Sequence, residues 1–148
     1  MTSISIGRFD ITFKARVPLY NKDEFIGFIE TITHFNSIVK SLNETDKVFS
    51  LVFVDKEYTN RLKENSFSKI FVQNHYIANL SVNKEIIKYI KKENITSLLN
   101  IKDYLIKDDF IIINHPLFYK DKRLASFLVF KKLSSVDMKD VNDFKYHA

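Results

Sequence analysis

The chain has 148 residues, 45% hydrophobic and 28% charged, with a net charge of +5. That is the size and balance of one folded domain, which buries about 68–70% of its unfolded surface and needs no metal or disulfide to hold it together. The absence of cysteine excludes a disulfide framework and thiol chemistry, and the presence of only two glycines excludes a glycine-rich phosphate loop.

No run of about 18 apolar residues is present, and no basic-then-apolar leader is visible. Basic residues are interleaved with acids, as in Lys22, Asp23 and Glu24 and again in Lys120, Asp121, Lys122 and Arg123. This reads as a solvated lysine-rich surface, with an anion-binding patch as the alternative.

Residues 9–17 alternate strictly. Phe9, Ile11, Phe13, Ala15 and Val17 point one way, while Asp10, Thr12, Lys14 and Arg16 point the other; this predicts a half-exposed strand. Pro18 cannot donate to a ladder, so pairing on its side is expected to end near it. Residues 20–24 form the turn and 25–32 the return strand.

The apolar period then changes. Phe35, Ile38, Val39 and Leu42 mark an amphipathic helix, for which Thr33 is the candidate N-cap and residues 43–46 the stop. Residues 48–54 are a near-continuous apolar run, expected to be a strand covered on both faces. A short helix is expected over 58–62, and a strand with an irregular middle at Asn74 and His75 over 69–80. Ser81 is the candidate cap of a helix carrying Val82, Ile86 and Ile90; Asn94 or Thr96 starts a shorter one with Ile95, Leu98 and Leu99. A weak strand is expected over 103–107, then a hairpin from 109–118 and 123–132. The polar tail, 134–148, is expected to be helical over 136–144.

The second hairpin restates the first. Residues 17–29 align without a gap on 115–127, placing the chain's two prolines, Pro18 and Pro116, on each other. Leu19 falls on Leu117, Tyr20 on Phe118, Lys22 on Lys120, Asp23 on Asp121, Ile26 on Leu124 and Gly27 on Ala125. A β-hairpin is written twice, and such internal repetition bears on any reading of the fold.

From residue 47 the order is strand, strand, helices, then three antiparallel strands, which resembles a PAS-like domain. The wording is similar to the bacterial extracytoplasmic double-Cache sensory modules. There a PAS-like half closes on a hairpin of the form proline–hydrophobic–aromatic, turn, hydrophobic–glycine–hydrophobic. Arg16, Val17, Pro18, Leu19 and Tyr20, with Phe25, Ile26, Gly27, Phe28, Ile29 and Glu30, resemble the closing hairpin of a first half. Residues 33–42 resemble the helix leading into a second half, and 48–55 that half's first strand; His115, Pro116 and Leu117 with Leu124 and Ala125 resemble its closing hairpin. The resemblance covers roughly 9–133, with Ala125 where glycine is usual and without the early strands and long N-terminal helix of a complete first half.

The resemblance implies an α+β fold: a PAS-like, antiparallel five-stranded sheet with a helical crossover, preceded by an extra β-hairpin and linking helix. It divides the chain into a first-half remnant over 1–46, a PAS-like domain over 47–133 and a connector to a membrane segment over 134–148. The implied function is small-molecule sensing or signal relay on the periplasmic side of the inner membrane. The parent would be a membrane receptor: a histidine kinase, diguanylate cyclase or chemoreceptor. A cytoplasmic basic domain that binds nucleic acid or a protein partner is the rival.

The residues themselves carry little reaction chemistry. His34, His75, His115 and His147 are too far apart in sequence for a helical His pair on a metal. No Gly-x-Ser-x-Gly elbow occurs. Neither enzyme activity, nor a cofactor, nor a metal is expected. The phenylalanine-rich aromatics sit at strand spacing and read as core, which argues against nucleic-acid stacking.

Four residues are candidates for ligand contact. Asn114 sits in an otherwise apolar strand, where a buried amide without partners costs about 1–3 kcal/mol; it is either satisfied by backbone or a ligand hydrogen bond. His75, on the broken strand, is a ligand contact or an ordinary strand residue. Its neighbour Tyr76 is expected to line one cavity with Asn114, between the sheet and residues 58–105. Arg16 is the counterpart of Asn114 in the repeat, and the resemblance makes carboxylate binding natural for it. The expected partners are a small-molecule ligand and no nucleic acid, with a membrane reached only through flanking segments absent from this chain. A homodimer is among the expectations, because the apolar face of Phe9, Ile11, Phe13 and Val17 must be covered by another chain or by an edge of the main sheet.

Overall fold

The computed structural model describes residues 1–6, 11–55, 57–58 and 68–136. The chain is α+β with antiparallel sheets. A three-stranded N-terminal sheet is built from β1 (Thr2–Ile6), β2 (Ile11–Asn21) and β3 (Glu24–His34), in that order. Helix α1 (Phe35–Asp46) leads to the main sheet: β4 (Phe49–Asp55), β5 (Phe71–Val72), β6 (His75–Ile77), β7 (Leu105–Lys107), β8 (Phe110–Tyr119) and β9 (Lys122–Lys132). Its strand order is β5-β6-β4-β9-β8-β7, six strands where five are expected, the additional one being the two-residue edge strand β5; the N-terminal hairpin likewise gains a third strand, β1. Helices α2 (Lys84–Ile90) and α3 (Ile95–Leu98) lie between β6 and β7 in sequence.

The apolar run at 48–54 becomes β4, a central strand with β6 on one side and β9 on the other. Its alternate side chains enter two separate cores. Leu51 and Phe53 join Ile86, Ile90, Ile95 and Leu98 on the helix-covered face. Val52 and Val54 join Ile11, Phe35, Tyr76 and Leu117 on the other. A strand buried on both faces has no polar side to show, hence the continuous apolar sequence.

Several local expectations shift. The 69–80 strand is a tight hairpin instead, β5 pairing with β6 across a turn where Gln73 takes φ 53°. Thr33 does not cap α1: it pairs with Phe13 within β3, and His34 holds the N-cap position without a side-chain bond. The helix runs through Asp46 and ends where Lys47 turns left-handed, φ 55°. Ser81 does not cap α2; Asn83 does, its Oδ1 accepting from the amides of Glu85 (2.9 Å) and Ile86 (3.1 Å). Val82 thus stays outside the helix and packs on the core from the loop. Asn94 caps α3 as expected, accepting from Ser97 N–H at 3.2 Å. The 58–62 helix and the 136–144 helix lie outside the described residues apart from Tyr58 and Val136, as does Phe9. No helix among the described residues is long and apolar enough to cross a membrane, which says nothing of a β-barrel.

The repeated hairpin is repeated in detail. β2 and β3 pair with a register shift between Leu19 and Tyr20, leaving Ile26 as the extra residue. β8 and β9 pair with the same shift between Leu117 and Phe118, leaving Leu124 extra. These positions coincide in the gap-free alignment, so the two hairpins share a β-bulge as well as a sequence. Gly27, at the first bulge, has φ +148°, a conformation L side chains rarely adopt; its counterpart is Ala125.

The first hairpin does not add to an edge of the main sheet. It forms its own sheet with β1, whose pairing with β2 ends at Ala15, short of Pro18. Only its root is buried: Ile11 and Phe35, with Ile4 and Phe13 partly so, pack on the face of the main sheet beside Phe127. Beyond the root, Val17, Leu19, Tyr20, Phe25, Ile26, Phe28, Ile29 and Ile32 stand exposed.

Candidate functional site

At one end of the helix-covered face the apolar core gives way to a row of polar groups. Asp55 closes β4 and lies opposite His75, the first residue of β6, with His75 Nε2 2.8 Å from Asp55 Oδ1. Further across the sheet, Arg123 Nε donates to Ser126 Oγ at 2.8 Å, and its Nη2 donates to Ser126 and to the Leu99 carbonyl, the latter at 2.9 Å. Asn114 Nδ2 donates to that same carbonyl at 2.8 Å. Leu99 is the C-cap of α3, where carbonyls have no intrahelical partner. Two sheet-borne donors therefore tie the end of α3 down onto β8 and β9.

The bulge is what aims Arg123. In strict alternation it would share a face with Ala125. Because Leu124 and Ala125 both face the second core, Arg123 turns to the side of Ser126 and Leu99. Re-aiming a side chain is a recurrent use of a β-bulge.

Two buried acceptors in this row, Asn114 Oδ1 and His75 Nδ1, meet no donor among the described residues. His75 is held below its ordinary pKa first by burial, which outweighs the pull of Asp55; the positive charge of Arg123 adds to the depression. The neutral ring donates through Nε2 to Asp55 and leaves Nδ1 as an acceptor. Folded protein thus binds fewer protons at this site than unfolded chain, and the slope of stability with pH is positive there. Stability is expected to be fully present above the ordinary histidine value of 6.5 and to fall as pH drops through it toward the lower folded value. Urea midpoints at neutral and mildly acidic pH check this: the acid-induced drop should be smaller in His75→Gln than in wild type.

The four sequence candidates do not form one site. Asn114 and His75 both lie along the polar row. Tyr76 is buried on the opposite face with Val52, Val54 and Leu117, so the expectation that it lines one cavity with Asn114 is corrected: adjacent strand residues point to opposite faces. Burial holds its hydroxyl well above the usual phenol pKa. Arg16 is exposed on the N-terminal sheet, paired with Glu30, whose carboxyl it pulls below the usual range. Arg123, Ser126 and Asp55 join the row without a sequence signal of their own. Arg123 reads in sequence as part of a solvated charge run; the signal that could have found it is the adjacent core pair Leu124 and Ala125, which breaks the period of two.

A cleft of about 660 Å³ runs between α1, the start of β4 and the 80–86 segment, lined by Asn36, Lys40, Glu44, Phe49, Ser50 and Asn83 among others. A smaller one of about 390 Å³ lies on the N-terminal sheet against Phe118. None of the four sequence candidates lines either. Among the described residues no three His, Cys, Asp or Glu side chains are grouped to hold a metal. Compared with known proteins, the chain matches no family model, no curated protein and no solved structure.

Proposed function

We propose that the chain is a small-molecule sensing or signal-relay domain of a membrane receptor, with a PAS-like sheet of the Cache type on the periplasmic side of the inner membrane. The observation that carries this reading is the polar row beneath the helical segment, with Arg123 and Asn114 sharing the Leu99 carbonyl. An arginine on a sheet suits a ligand carboxylate, and the amide and imidazole acceptors left over beside it suit a donor on the same ligand, such as an ammonium group. The central position of β4 and the antiparallel β7-β8-β9 meander beside it are consistent with the PAS-like order.

The geometry also offers a route for relay. β9 carries Arg123 and Ser126 near its start, runs beside β4, and ends at Lys132, where a 3-10 turn, Leu133–Ser135, leads into the C-terminal segment. A ligand that takes over the hydrogen bonds of Arg123 would release α3 at one end of the strand whose other end leads out of the domain. Such a ligand shifts an equilibrium only by its differential affinity for the two arrangements.

The test is a thermal-shift screen of wild type against amino acids, short organic acids and purines. A carboxylate ligand at a hundred times its Kd stabilises by about 2.7 kcal/mol, a rise of several degrees for a domain of this size. Asn114→Leu and Arg123→Met should lose that rise. Asn114→Leu should keep its fold, because Arg123 still satisfies the Leu99 carbonyl. A rise of equal size in both variants, or none across the panel in wild type, would sink this assignment.

A further inference from the structure

The first hairpin repeats the second, yet its surroundings differ at one edge. In the second hairpin, return strand β9 lies between β8 and β4. In the first, among the described residues, return strand β3 pairs with β2 alone and is an edge of its sheet. No described strand takes, beside β3, the place that β4 fills beside β9.

That edge carries only part of the usual protection. Exposed edge strands are commonly guarded by proline, by charged side chains, lysine above all, or by a bulge. β3, with the sequence EFIGFIETITH, has two glutamates and the bulge at Ile26 but no proline, lysine or arginine. The free stretch of β2 on the other side of the hairpin does carry Pro18. Met1 and Arg16 exchange backbone hydrogen bonds of 2.8 Å, so Arg16 turns its N–H and C=O toward β1. Two residues on, Pro18 faces that same way, where its missing N–H blocks further pairing. By the same alternation Phe28 and Glu30, opposite Pro18 and Arg16, turn their backbone groups outward from β3.

Apolar side chains flank this edge on both faces of the ribbon. Those of β3 itself, Phe25, Ile26, Phe28, Ile29 and Ile32, are 49–61% exposed, and a strand added at the edge would place its own side chains against them as cross-strand pairs.

We propose that the free edge of β3 docks a second copy of the chain, the two β3 strands pairing antiparallel about a two-fold axis at Ile29, so that two three-stranded sheets become one continuous sheet. Full overlap of Glu24–His34 with itself places the axis at Ile29. The outward-facing Phe28 then meets Glu30 of the second copy, and Glu24 lies opposite its His34. An axis one residue further, at Glu30, would set two like charges face to face, which is unfavourable. This inference uses none of the residues of the polar row on which the sensory reading stands.

The full chain has no cysteine, which makes a direct test available. At the axis the two Ile29 residues form a non-hydrogen-bonded antiparallel pair with Cα atoms about 4.5 Å apart, within disulfide reach. Under mild oxidation Ile29→Cys is expected to cross-link to itself at least tenfold faster than Val17→Cys, which lies opposite Ile29 on β2 and away from the axis. Sedimentation should give a dimer mass for wild type at micromolar concentration and a monomer for Ile29→Lys, with circular dichroism unchanged because the residue is exposed. A wild-type monomer, equal cross-linking of the two cysteine variants, or a dimer indifferent to Ile29→Lys overturns the proposal. So does a monomer whose ribbon instead binds vesicles of mixed neutral and anionic lipid, which would make the apolar tip a membrane contact.

Discussion

Asn79→Ala is expected to destabilise the protein by about 2–6 kcal/mol, because it would orphan two buried backbone groups at about 1–3 kcal/mol each. β6 stops at Ile77, while β4 needs partners further along its edge. Ala78 N–H donates to the Val52 carbonyl at 2.9 Å. Asn79 then replaces the missing strand with its side chain: Val52 N–H donates to Oδ1 at 2.8 Å, and Nδ2 donates to the Ser50 carbonyl at 2.8 Å. The amide is 1% exposed, so water cannot substitute for it. Against a typical total stability of about 5–15 kcal/mol, this loss approaches unfolding. Ser50→Ala serves as the control. It leaves both backbone bonds intact and removes a buried hydroxyl that has no partner among the described residues, so its urea midpoint should stay near wild type. Equal midpoints for Asn79→Ala and wild type would show that the ladder does not depend on this amide.

Phe130→Ala is expected to cost about 3–5 kcal/mol, the range for an aromatic truncated in a close-packed core. The ring is fully buried at the centre of the helix-covered face. It meets Tyr89 of α2 edge-on at 6.1 Å and Phe110 of β8 at 6.0 Å, and its backbone lies between Phe49 and Ile112. The truncation removes contacts that join α2 to three strands, and those rigid neighbours cannot all collapse into the void. Phe118→Ala, on the same sheet but 52% exposed, should cost no more than about half of that, because half of the residue already meets water. Equilibrium unfolding of the pair checks the contrast; similar losses for both would argue against a single close-packed core on this face.

The repeat was legible because a hairpin is a local structure. The proline, the polar turn and the apolar return strand lie within a few residues of one another, and the bulge recurs at the matching positions. The both-faces burial of β4 was legible from composition alone. The caps of α1 and α2 are not legible locally, because Thr33, Ser81 and Asn83 have similar capping chemistry. The choice among them was made by whether β3 continues through Thr33 and whether Val82 packs on the core from outside the helix.

The site was less legible, for a different reason. Asn114 and His75 could be picked out as polar residues in apolar strands. Placing Tyr76 with them required knowing which face each residue takes, and in a two-sided strand every residue has a core to enter. Arg123 was hidden by one extra residue in the strand, since a bulge reverses the face of everything beyond it. The sequence by itself determined the repeated hairpin, the central strand and the antiparallel α+β order, because these follow from periodicity and turn chemistry. Only the tertiary structure decided which faces meet, that Asn79 stands in for a strand, and that among the described residues β3 ends without the neighbour β9 has, because each depends on contacts between segments far apart in the chain.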